Sequence, residues 1–292
     1  MADVTPQTIQ ILLPGGVPRG IRVAEITTRI IQVTEVPRKL LPEFAAMPES
    51  EQVALYFLFG DLEDGERGVY VGQTGNPRNR LKQHHQDTNK DFWDRALVVT
   101  SRTQDLTQTH VALLEWWAIE RATKVDRFKV VNNNAGSEPF TPASMRADCD
   151  DAFGTASTLL TTLGYPIFKP LVETPLPIDD PDDQVFVCFK AKADAKGRYT
   201  SEGMVVLAGS SGPAELTLSG EQGGCRAKRD RLIQAGKAAY QGDRFRFLQD
   251  TLFQSPSGAG YVVKECSSNG WNDWTTPDGR TKNAVIREND PS

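Results

Sequence analysis

Between positions 56 and 115 the chain places five side chains whose types suit phosphoryl chemistry: Tyr56, Tyr70, Arg80, His84 and Glu115. Hydrolysis of a phosphodiester requires that extra negative charge on the phosphate be stabilised and that a water be activated. Arg80 can fork onto two phosphate oxygens, a geometry that lysine does not reproduce. Glu115 is a hard oxygen ligand suited to Mg²⁺, which keeps several waters and takes only one or two carboxylates. Glu120, five residues further along the same predicted helix, points elsewhere, so the set predicts one metal ion rather than a pair. Tyrosine titrates near about 10 and is only ~0.1% phenolate at neutral pH, so Tyr70 can serve as general base only with help from Arg80 or the metal. Histidine titrates near neutrality, which lets His84 relay a proton or contact the phosphate, while Tyr56 is placed to orient the water or the scissile group.

These residues need specific elements to hold them. VALYFLFG, the polar DLEDGER and GVYVGQT predict an antiparallel hairpin, with Tyr56 and Tyr70 equidistant from Glu63. Symmetric closure would make the two tyrosines cross-strand neighbours on one face. In QTGNPRNRLKQHH, Asn76 is a good N-cap and Pro77 suits the first helical position, so a helix starts at Pro77 and presents Arg80 and His84 from one face. DFWDRALVVTS predicts a loop and a third strand, and THVALLEWWAIERATKV a second helix carrying Glu115, giving the order β-β-α-β-α. Taken singly, each residue has a duller reading as a sheet aromatic, a solvated helix position or a surface acid. Five suitable types in order, on the expected elements, favour chemistry over coincidence.

ALY followed by YVG, Arg80 ten residues after Tyr70, His84 four further on and Glu115 in a downstream helix resemble the GIY-YIG endonucleases over roughly residues 52 to 135. Ala54 and Leu55 stand where the family name has Gly and Ile, but Tyr56 keeps the aromatic hydroxyl. The resemblance implies phosphodiester cleavage with one Mg²⁺ or Mn²⁺ held by the glutamate, an arginine at the phosphate and a tyrosine near the attacking water.

Nearby residues carry weaker signals. Lys90 in NKDFW could touch a phosphate, although a solvated lysine is the default. His85 and His110 have no metal-ligand partner at usable spacing and are expected at the surface or in packing. Trp116 and Trp117 are expected to pack the second helix into the core, and Asn132 to Asn134 read as a turn that could line the cleft.

At 292 residues the chain predicts two domains. Its net charge of −5 argues at first against a polyanionic partner, but the acid is unevenly placed. Residues 131–184 hold two basic against nine acidic residues, whereas 70–130 hold ten against seven and 185–292 fifteen against twelve. The two segments read as chemistry and recognition are each mildly basic, which permits phosphate contact. No window approaches the roughly 18 apolar residues of a spanning helix and the N-terminus lacks a signal-peptide pattern, so a cytoplasmic protein without membrane contact is expected. Cys149, Cys188, Cys225 and Cys266 are scattered without a CxxC pair and read as reduced thiols.

Beyond an acidic, Pro-rich stretch, GRYTSEGMVVLAGS and FQSPSGAGYVVKECSSNGWNDWTTPDGRT resemble a C-terminal domain of unknown function often appended to GIY-YIG nucleases, over about residues 185 to 285. The SPS, NGW and DGRT pieces also look like those of a domain associated with restriction and DNA methylation systems, there proposed to bind DNA. Trp271 and Trp274 could stack on an exposed base, although core packing is the default reading. The segment holds no histidine and no clustered catalytic set, so recognition is expected there, with CRAKRDRLIQAGK as a basic helix that faces phosphate or solvent.

The expected architecture is α+β: an N-terminal β-meander (1–48), a GIY-YIG β-β-α-β-α core with a helical extension over 152–165 (49–172), a linker (173–184) and a small α+β recognition domain (185–292). The expected function is a divalent-metal-dependent endonuclease acting on DNA in prokaryotic restriction or defence, assisted by a second subunit or a protein partner. A structure-specific repair or recombination nuclease and a non-cleaving nucleic-acid-binding protein are the alternatives.

Overall fold

Seven strands from the first part of the chain form one sheet. They are β1 (Ile9–Leu12), β2 (Arg22–Ile26), β3 (Ile31–Pro37), β4 (Ala54–Asp61), β5 (Arg67–Thr74), β6 (Trp93–Ser101) and β7 (Lys129–Val130), in the spatial order β1-β2-β3-β6-β4-β5-β7. All neighbours are antiparallel except β5 and β7, which run parallel. The computed structural model describes residues 6–63, 66–132, 136–171, 185–215, 224–264, 268–282, 284 and 285. It divides into two units, residues 1–170 and 171–292. The expected linker, residues 173–184, lies outside the described residues. The N-terminal strands are part of the first unit's sheet, because β3 pairs with β6 from Ile31↔Ser101 to Pro37↔Arg95.

The central strand β4 reads ALYFLFGD and is buried on both faces, which accounts for its unbroken apolar run. Leu55, Phe57 and Phe59 join Val69, Val71, Leu97 and Val99 against α3 (Gln108–Val125) and α4 (Ala143–Thr162). Ala54, Tyr56 and Leu58 face the other way, where Phe44 of α1 (Leu41–Phe44) and Leu81 of α2 (Pro77–Gln86) cover them. The chain segment β4-β5-α2-β6-α3 therefore sets one helix on each face of the same strands.

The hairpin register differs from a pairing centred on Glu63. Tyr56 lies opposite Gly72 and Tyr70 opposite Leu58, so the tyrosines are diagonal neighbours on one face, ring centroids 6.3 Å apart. The cause is steric: a Cβ at position 72 would lie 2.3 Å from the Tyr56 hydroxyl oxygen, so the phenol needs a glycine beneath it. Helix α4 also begins nine residues before the expected 152, since its 3.6-residue period runs back through Cys149 and Met145. Its end is tied down by buried Glu35, which takes bonds from Arg22 and from the Tyr165 hydroxyl (3.2 Å), while Arg22 also donates to the Leu163 carbonyl at 3.2 Å.

The second unit is also α+β. β8 (Val185–Cys188), β9 (Ala195–Thr200), β10 (Gly203–Val206) and β14 (Thr251–Phe253) form an antiparallel sheet in the order β14-β10-β9-β8. β11 (Ser211–Pro213), β13 (Arg244–Phe247) and β12 (Ala238–Gln241) form a second. Helices α5 (Cys225–Gln234), α6 (Pro256–Lys264) and α7 (Gly270–Asp273) complete it. The hairpin expected after α6 is reduced to a single bridge, Thr275↔Thr281, because NGWND forms α7 under an Asn269 cap. Among the described residues no helix is long and apolar enough to cross a membrane.

Gly72→Ala is expected to destabilise the first unit by about 1–3 kcal/mol, the usual cost of forced overpacking. Denaturant unfolding checks this, and an unchanged midpoint would mean that Tyr56 does not occupy the space over residue 72.

Candidate active site

The site is assembled around the hydroxyl of Tyr56, whose side chain is almost fully buried on β4. Helix α2 starts where its sequence dictates, with the Asn76 side chain accepting from the Asn79 amide and Pro77 at the first position. Arg80 and His84 then project one turn apart toward the sheet. Arg80 Nε donates to the Tyr56 oxygen at 3.0 Å, and His84 Nε2 lies 2.8 Å from that same oxygen. The Tyr70 ring packs against both, 6.3 Å from Tyr56 and 5.2 Å from His84 between centroids, and stays half-buried.

The electrostatics assign states to these groups. Burial raises the Tyr56 pKa, so this phenol stays protonated and is no candidate base. His84 is pushed down to about 4 by burial, with the charges of Lys90 and Arg80 acting in the same direction. At neutral pH it is an uncharged imidazole, which corrects the expectation that it titrates near neutrality. A neutral imidazole with a free Nε2 lone pair accepts the Tyr56 hydroxyl proton, leaving the tyrosine oxygen to accept from Arg80. The bond to Tyr56 in turn raises the Arg80 pKa and fixes the guanidinium as a permanent charge.

Glu115 reaches the cluster from the opposite layer. It lies half-buried on α3, and the backbone N–H of Gln73 on β5 donates to its carboxylate. Burial raises its pKa, while that amide and the Arg80 charge pull the other way. Among the described residues no group of three or more His, Cys, Asp and Glu converges, so Glu115 is a lone carboxylate. That donor set suits a hard divalent ion that keeps most of its waters, and a cation there would offset the cost of desolvating the acid. Glu120 is exposed and outside the cluster.

Lys90 also belongs to the site, since its ammonium sits 3.8 Å from the Tyr70 ring centroid. Two features escaped the sequence reading. Asn132 uses both ends of its amide on the Val71 backbone (2.9 and 2.8 Å), extending the ladder beside β5, and only its place just after β7 hinted at this. His110 accepts from the Thr107 amide at 3.1 Å and caps α3, a role that Thr three residues before His does not signal. Asn133 and Asn134 lie outside the described residues. His85 is exposed and takes a bond from Arg38 at 3.1 Å, and Trp117 is core, as packing predicts.

In the second unit the two expected tryptophans part company. Trp274 is fully buried and its indole N–H donates to the Pro256 carbonyl at 3.0 Å, so it is a core residue and corrects its placement at a nucleic-acid surface. Trp271 keeps 40% of its surface exposed.

Residues 186–286 match the family model described as "Domain of unknown function (DUF4357)". No GIY-YIG family model matches the chain. No curated protein and no solved structure matches it either.

The His84 state has a measurable consequence. Its folded pKa of about 4 lies below the ordinary 6.5, so its contribution to stability is full above about 6.5 and is lost as the pH falls toward 4. Unfolding free energies of wild type and His84→Gln, measured from pH 7 to 4.5, are expected to converge toward the acid end. Parallel curves would show that the imidazole protonates normally in the fold.

Proposed function

We propose that the first unit is a GIY-YIG-type endonuclease that hydrolyses phosphodiester bonds with one Mg²⁺ or Mn²⁺ at Glu115, acting on DNA in prokaryotic restriction or defence. The supporting observation is the junction at the Tyr56 hydroxyl, which gathers Arg80 and His84 beside Tyr70 and within electrostatic reach of Glu115. The order and spacing of these five residues supply the resemblance on which the family reading rests.

The residues divide the work as follows. Arg80, anchored through Nε on Tyr56 and with Nη1 donating to the Gln83 side chain at 3.2 Å, offers its remaining N–H groups to non-bridging phosphate oxygens and stabilises the charge that builds up in the transition state. Tyr56 and neutral His84 fix that fork in place. Tyr70, the more exposed of the two phenols, faces the attacking water, and Lys90 adds positive charge beside it. Glu115 would hold the divalent ion, which when bound supplies a Lewis acid and a water of lowered pKa. The mildly basic balance of residues 70–130 suits a polyanionic substrate.

The test is cleavage of plasmid, linear duplex and single-stranded DNA with Mg²⁺ or Mn²⁺. Glu115→Gln is expected to abolish cleavage, and Arg80→Ala to slow it by about 10²-fold, as loss of a transition-state donor does. Equal activity in wild type and Glu115→Gln, or no cleavage of any nucleic acid by wild type, overturns the proposal. Preference for branched junctions over duplex would replace restriction with repair as its setting.

A further inference from the structure

The second unit buries a cation that no acid among the described residues neutralises. Lys282 is fully buried, and its ammonium has no hydrogen-bond partner among the described residues. It lies instead between two aromatic rings, 3.3 Å from the Tyr199 centroid and 3.5 Å from the Trp271 centroid. The rings are 6.2 Å apart and inclined at 59°. Tyr199 is half-buried against the core, whereas Trp271 keeps 40% of its surface in solvent.

Packing alone does not account for this arrangement. A methionine of similar length would fill the same space without the cost of desolvating an unpaired ammonium. Two cation–π contacts recover part of that cost. They also change the surface, because a cation held under one face of an indole draws π density inward and leaves the outer face electron-poor.

Trp271 is rigidly mounted as well. Its amide bonds the Asn269 side chain at 3.2 Å, and Gly270 N–H bonds the Ser257 hydroxyl at 3.0 Å. Asp273 at the end of α7 is held by Lys190 (2.9 Å), Lys264 (2.5 Å) and Ser268 (2.8 Å). Lys190 also donates to the Asn272 carbonyl at 3.0 Å. The surface thus offers a fixed, electron-poor indole beside the half-exposed Lys190.

We infer that Trp271, backed by Lys282 and Tyr199, is a stacking platform for an unpaired nucleobase of a single-stranded segment. A base is an electron-rich π partner, and the Lys190 ammonium, 53% exposed beside α7, can meet a flanking phosphate. The inference rests on the nuclease reading only for the chemical class of the ligand. Cleavage is assigned to the other unit.

Binding is measured on the full chain in EDTA, by fluorescence anisotropy, with a labelled single-stranded 12-mer, the blunt duplex of that sequence and an abasic strand of equal length. Wild type is expected to prefer the base-bearing single strand. Trp271→Ala should weaken that binding by about tenfold or more, the range for loss of one base–aromatic stack, with little effect on the abasic strand. Trp271→Phe should restore part of it. Lys282→Met should weaken it severalfold without lowering the melting temperature. Unchanged binding in Trp271→Ala overturns the inference, as does equal loss on the base-bearing and abasic strands. Unchanged binding in Lys282→Met with a lower melting temperature assigns the lysine to structure alone and overturns its part. Failure of wild type to cleave in Mg²⁺, with the stacking pattern intact, removes the nuclease reading and leaves this one. Cleavage intact with no base preference does the reverse.

Discussion

A phenolic hydroxyl buried in the middle of a sheet must find partners, and in the first unit that requirement at Tyr56 organises everything near it. Its oxygen accepts from Arg80 and is hydrogen-bonded to His84 Nε2, so both residues of α2 are fixed by one atom. Space for the ring exists because residue 72 of the neighbouring strand has no side chain. The depressed basicity of His84 follows from the same burial, and that neutrality lets it accept the proton. Loosening any of these would free the guanidinium that the whole cluster positions.

Much of this was legible in the sequence. The Asn76-Pro77 start of α2, the four-residue spacing of Arg80 and His84, and a second helix carrying Glu115 are local signals of capping and periodicity, and each element forms where they place it. The features that eluded the sequence are pairwise. Whether Tyr56 faces Tyr70 or Gly72 depends on strand register, which symmetry about a turn does not determine, while the close approach of the Tyr56 ring to residue 72 does. Titration of His84 depends on burial and on Lys90, which arrives from a different element. Trp271 and Trp274 look alike three residues apart, yet the helix ends at Asp273 and the extended backbone of Trp274 takes its ring into the core, while Trp271 stays 40% exposed.

Among the described residues of the second unit Arg229 and Lys282 are fully buried, and the contrast between them is instructive. Arg229 of α5 spends its guanidinium on the carbonyls of Pro213, Val262 and Val263, with its plane over Phe245, and so ties a helix, a strand end and α6 together. Every part of that side chain has a partner, and a structural role accounts for it. Lys282 has rings where Arg229 has carbonyls.

On β5 the Tyr70 side chain lies on one face of the sheet, and the Gln73 backbone N–H, three residues and roughly 10 Å of extended chain further on, donates to Glu115 of α3. The phenol and the anchor of the carboxylate are therefore linked by covalent geometry rather than by side-chain packing. Such a strand acts as a ruler. Whatever touches both the Tyr70 phenol and the Glu115 carboxylate has to reach across that fixed span of strand.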